Sequence, residues 1–114
     1  MKLWVDDVQP APDGYSWVRS VNVAKECIKI REQLNGINWM YLDGSTEIIL
    51  PFELIDIDHD AGEYANDGGD YIKLLDWLEE TGRNYPIRIH SMNPVGVENM
   101  RRIIQRNGWT EVKQ

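Results

Sequence analysis

Four short apolar runs, separated by segments of helical periodicity, restrict this chain to a narrow set of folds. The runs occupy residues 2–5, 16–19, 53–57 and 86–90. After the second, Ser20 is a good helix N-cap, and Val23, Ala24, Cys27, Ile28, Ile30 and Leu34 follow at three- and four-residue intervals, the expected inward face. Asn35 and Gly36 close that helix. A second helix is expected over about 69–81, with Ile72, Leu75 and Leu78 on one face and Gly82 as its stop. A third is expected over about 94–107, with Val97, Met100, Ile103 and Ile104 inward and Gly108 after its end. Residues 109–112 read as a last short strand.

Strands alternating with helices predict an α/β protein, with a mostly parallel sheet covered on both faces in a three-layer arrangement. Two segments interrupt the alternation. Pro10, Pro12 and Gly14 form a loop between the first two strands. Asp43 and Gly44, lying between residues 39–42 and 46–50, signal an inserted β-hairpin within about 37–52. The stretch AGEYANDGGD, after the third main strand, is a polar, glycine-rich loop suited to lie over a site.

Length and charge narrow the function classes. A chain of 114 residues is expected to form a single domain over 1–114, with one core. A formal charge of −7 argues against a general nucleic-acid coat and against an anionic membrane. It leaves room for a phosphorylated small molecule, or for an RNA end bound with the help of a metal. One cysteine permits no internal disulfide, which fits the cytoplasm; Cys27 reads as a small core residue. The first ten residues lack the apolar stretch of a secretory signal, and no segment has the length of a membrane span.

In parallel sheets ligands bind beyond the carboxyl ends of the strands, and that is where the reactive side chains gather. The first strand ends at Asp6 and Asp7, the third at Asp58, His59 and Asp60, the fourth at His90, Ser91 and Asn93. Each group has an ordinary reading by itself: the start of a loop, a hydrogen-bonded structural histidine, the polar end of a buried strand. Their convergence from three elements is what suggests a site.

Crowded carboxylates need compensation. Mg²⁺ or another divalent cation among Asp6, Asp7 and Asp58 would supply it, as would a protonated histidine. The candidate catalytic groups are His59, His90, Asp58 and Ser91, the two histidines as an acid–base pair. Asn93 and Pro94 begin a helix whose free N–H groups would attract an anion. Asn99 and Arg101, further along it, are candidate phosphate contacts, whereas Arg102 reads as part of a basic outer face.

The segments LWVDDVQPAPDGYSWVRSV, IDHD and IHSMNPVGVENMR carry a family resemblance. The paired aspartates after the first strand, the aspartate ending the third and the hydroxyl ending the fourth are similar to those of response-regulator receiver domains. The finer pattern, with His59 and His90, resembles the cyclic-phosphate-processing receiver-like branch. The resemblance implies a flavodoxin/receiver-like fold, Mg²⁺ at Asp6 and Asp7, and a phosphoacceptor position at Asp58. The lysine that receivers place after their last core strand has no good counterpart, since Lys113 falls too late, and this argues against phosphorelay signalling.

The expected function is phosphoesterase-like processing of a cyclic phosphate, on a 2′,3′-cyclic RNA end or a cyclic nucleotide. The alternative is a non-enzymatic receiver-like module for binding or signalling. The insertion could serve as a dimer contact, a substrate wall or decoration, so homodimerisation is left open.

Overall fold

The computed structural model describes residues 1–41 and 49–113. Its elements are β1 (Lys2–Val5), β2 (Tyr15–Val18), α1 (Val21–Leu34), β3 (Leu54–Ile57), α2 (Ile72–Glu80), β4 (Ile87–Ile89) and α3 (Pro94–Asn107). The sheet is wholly parallel, in the order β2-β1-β3-β4. This is a receiver/flavodoxin-like α/β arrangement.

Local chemistry sets the helix ends. The Ser20 side chain accepts the Val23 N–H at 3.1 Å, and Asn93 accepts the Gly96 N–H at 3.0 Å. Each bond satisfies a donor that the first turn would otherwise leave open. Gly108 ends α3 in the left-handed region at φ 67°, where a side chain would be strained.

The helices do not divide between the two faces of the sheet. From β2 onward every crossover moves across the sheet in the same direction, so right-handed connections put α1, α2 and α3 on one side. Only the β1–β2 link runs the other way, and its residues 6–14 hold no helix. Packing agrees. Leu3, Val5, Ile55, Ile57 and Ile87 join one core with Ala24 and Ile28 of α1, Leu74, Leu75 and Leu78 of α2, and Met100, Ile103 and Ile104 of α3. Trp4, though only 8% exposed, lies outside that core. The opposite face is lined along the register Trp4↔Trp17, Trp4↔Asp56 and Asp56↔Arg88 by aromatic and charged side chains. The second covering layer expected from the alternation is thus replaced by large side chains and the 6–14 loop, whose Gln9 carbonyl accepts from the Trp4 indole at 2.8 Å.

Several boundaries and faces differ from expectation. The second strand begins at Tyr15, and the expected strand at 109–112 is reduced to a single bridge between Glu111 and Ile87. The polar loop contains a 3-10 turn over Gly62–Asn66, and α2 begins only at Ile72. The first arm of the expected hairpin is a 3-10 turn over Trp39–Tyr41; its Asp43–Gly44 turn lies outside the described residues. Val23, Ile30 and Leu34 face solvent, because the buried face of α1 is Val21, Ala24, Ile28 and Glu32.

Candidate functional site

The carboxyl ends of β1, β3 and β4 meet at a cleft of about 450 Å³, lined by Asp6, Asp7, Asp58, Asp60, His90, Ser91 and Asn93 among others. Backbone pairing continues past the strands to hold these residues level: the Asp58 N–H donates to Val5 and the His90 N–H to Ile57, each at 2.9 Å.

Asp6 is the most constrained acid of the cleft. It is 2% exposed. One oxygen accepts the N–H groups of Val8 and Gln9, both at 2.9 Å, and the other meets Nε2 of His90 at 2.9 Å. The second ring nitrogen of His90 lies 2.6 Å from Asp56, whose other oxygen accepts the Tyr15 hydroxyl at 3.2 Å. The indole of Trp4 stacks flat on the imidazole, with ring centres 3.9 Å apart. Burial pushes the His90 pKa down, but its bonds to Asp56 and Asp6 and their charges outweigh this and raise it above the ordinary value. His90 is therefore clamped by a carboxylate at each ring nitrogen, so both nitrogens are committed and the charged form of the ring is favoured.

Asp58 is half-buried. Burial raises its pKa most, and the Asp6 charge adds to the rise; the His59 N–H at 2.7 Å, the Ser91 hydroxyl and His90 oppose it. Ligand oxygens of Asp6, Asp7 and Asp58 all lie within 4.8 Å of one another. Gly62, at φ +55°, passes so close to Asp7 that a Cβ there would strike its carboxylate. Hard oxygen donors at this spacing suit Mg²⁺ or a similar cation. The charge balance agrees: four carboxylates line the cleft against one imidazolium, with no lysine or arginine among the described lining residues.

His59 sits differently. Its ring packs on the first turn of α3, where Gly96 leaves the space; any Cβ at that position would enter the ring. Nδ1 lies 2.8 Å from Asp60 and 3.5 Å from the Asn93 amide. Asp60 and Asn93 line the cleft and His59 does not. Alternation along the strands explains this, since residues 57 and 59 turn to the helix side while 88 and 90 turn to the other. The two imidazoles share a rim but do not face each other across it.

Two sequence candidates stand apart. Arg101 is held by Glu111, with Nε 3.0 and 2.9 Å from its two oxygens, and it lines no part of the cleft. Asn99 is exposed on α3, also away from it. The helix start is less open than its sequence suggests: Pro94 has no N–H, while Asn93 takes those of Gly96 and Val97.

Trp4 and Tyr15 are residues that sequence reasoning passed over, and Asp56, though crowded with Asp58 and Asp60 in the sequence, was given no role of its own. An aspartate inside the apolar strand LIDI, one strand away from a histidine and on the same side of the sheet, was the available signal.

Residues 1–106 match the cyclic-phosphate processing receiver domain. The chain belongs to that family. In this cyclic-phosphate-processing receiver domain, then, a paired-aspartate motif, a strand-ending aspartate and a strand-ending hydroxyl surround one cleft. Comparison with curated proteins and with solved structures gives no match. No helix among the described residues is long and apolar enough to cross a membrane.

Proposed function

We propose that the cleft hydrolyses a cyclic phosphodiester, at a 2′,3′-cyclic RNA end or on a cyclic nucleotide, with a divalent cation bound. The observation that carries this reading is the uncompensated negative charge of the cleft. An anionic substrate entering it meets four carboxylates and one imidazolium, so phosphate binding requires added positive charge. A cation held by Asp6, Asp7 and Asp58 would supply that charge to the phosphoryl oxygens.

The protein groups divide the remaining work. His90 fixes Asp6 against Asp56, since neither of its nitrogens is free for transfer. The His59–Asp60 pair at the rim receives the proton of the attacking water and returns it to the ring oxygen that leaves phosphorus. Ser91 and the Asn93 amide are the neutral donors that face the substrate.

The test is turnover of 2′,3′-cyclic nucleotides and cyclic-ended RNA, with Mg²⁺ or Mn²⁺ and with chelator. Turnover should need the cation and fall on the order of 10²–10⁴-fold in His59→Ala. Wild-type rates in a His59→Ala, His90→Ala double variant would sink the proposal.

The commitment of both His90 nitrogens, with His59 outside the cleft, favours one second reading: a receiver-like module that binds without turnover. Cation-dependent nucleotide binding with no product would select it.

A further inference from the structure

Helix α1 is apolar on two sides. Val21, Ala24 and Ile28 enter the core, while on the opposite side Val23, Ile30 and Leu34 are 51%, 54% and 77% exposed. With half-buried Cys27 between them, these residues repeat at intervals of four, three and four. That is the spacing of a coiled-coil seam, in which Val23 and Ile30 take one core position and Cys27 and Leu34 the other. Isolated exposed apolar residues are ordinary, but a stripe in seam register along a whole helix is not.

The flanking charges identify an occupant. In a parallel pair of such helices, the residue before one seam position meets the residue five places further along the partner helix. Here these are Glu26 and Arg31, of opposite sign, and two-fold symmetry makes the contact twice. An antiparallel pair would instead set Glu26 against Gln33. Glu26 bonds Lys29 at 2.6 Å within the chain, but with both side chains about half exposed or more that bond exchanges readily.

We propose that α1 is a self-association surface, and that a second copy of this chain docks on it in parallel. The helix has 14 residues, about 21 Å of length. That is short for the ~1,200–2,000 Å² of a standard stable interface, so the dimer is weak and depends on concentration.

Cys27 provides the test, because a parallel seam places it opposite its own copy. The full chain is oxidised with copper phenanthroline over a concentration series, alongside sedimentation equilibrium up to millimolar protein. The expected result is reversible dimerisation and a disulfide-linked dimer. Ile30→Glu should lower its yield about tenfold. Glu26→Lys should lower it too, and Glu26→Lys with Arg31→Glu should restore it, with circular dichroism confirming that each variant is folded. A chain that stays monomeric at millimolar concentration overturns the proposal and leaves the stripe to another partner. Cross-linking that is indifferent to Ile30→Glu, or a charge-swapped variant that does not recover, overturns it as well.

Discussion

The protein buries acid at both ends of its sheet and treats it in opposite ways. At the amino end Glu32, 3% exposed, is fully answered. Arg83 reaches both its oxygens, with Nε at 3.0 Å from each, and the Tyr85 hydroxyl and Trp39 indole donate at 2.7 Å. The Arg83 guanidinium also lies over Trp77, 4.2 Å from the ring centre. Charges cancel and the donors match the acceptors. At the carboxyl end the His90 ring bridges Asp6 and Asp56, Asp7 and Asp58 crowd against Asp6 without a cation of their own among the described residues, and Arg88 is a loose 3.7 Å from Asp56. That cluster keeps net negative charge and opens into a cleft. A closed cluster serves the fold. An open one costs stability, and its residual charge is what can attract a cation.

The contrast is tested most strongly by removing one counter-charge from each end. Arg83→Ala leaves Glu32 buried and unpaired and should cost about 3–5 kcal/mol. Chemical denaturation should report that loss whether or not Mg²⁺ or Mn²⁺ is added. His90→Gln keeps hydrogen-bonding groups but loses the charge between Asp6 and Asp56, for an expected loss of about 1.5–3 kcal/mol. Cation at a hundred times its Kd adds about 2.7 kcal/mol to any folded chain that keeps Asp6, Asp7 and Asp58, so the discriminating quantity is the gap to wild type. Cation should narrow that gap for His90→Gln, where the added positive charge replaces the one removed, and leave it unchanged for Arg83→Ala. A gap that narrows for neither variant, or for both alike, means that the two ends do not differ as described.

Asp58→Asn should act in the opposite direction. It removes a half-buried carboxylate that burial and Asp6 already disfavour. A gain on the order of 0.5–2 kcal/mol is expected in chelator, together with loss of cation binding by calorimetry. A destabilised Asn variant would mean that the cluster holds the fold together rather than straining it.

Much of this contrast was legible in the sequence, for local reasons. Ser20, Asn93, Pro94 and Gly108 bound helices by capping chemistry that needs no tertiary information. The strand-ending acids and histidines could be placed at one rim because all the main strands are parallel. What escaped depends on direction across the sheet. The apolar positions Val23, Ile30 and Leu34 look as suited to a core as Ile28, and only the packing of α1 tells them apart. Arg101 looked free because its partner, Glu111, comes ten residues later on a segment read only as a strand. The one-sided placement of the helices had a visible cause: the proline-rich link 6–14 cannot supply a covering helix. Asp56 was noticed as part of an acid cluster, yet its role belongs to the strand pairing that brings it under His90.

The smallest expected effect is the pH dependence, and its signs separate the groups. For Asp58 the folded pKa is raised, so the folded state binds the proton more readily than the unfolded chain. Stability should rise as pH falls through the folded pKa toward the ordinary carboxylate value, then gain nothing further from this group. Asp58→Asn should lack that acid-side rise. For His90 the raised pKa acts on the other limb. Its contribution is complete below the ordinary histidine value and is lost as pH climbs through the folded pKa, and His90→Gln should lack that decline. Urea midpoints in chelator, taken between about pH 4 and pH 9, resolve both limbs. If the Asn and wild-type curves run parallel on the acid side, Asp58 is not held in the strained environment that makes the open cluster receptive to a cation.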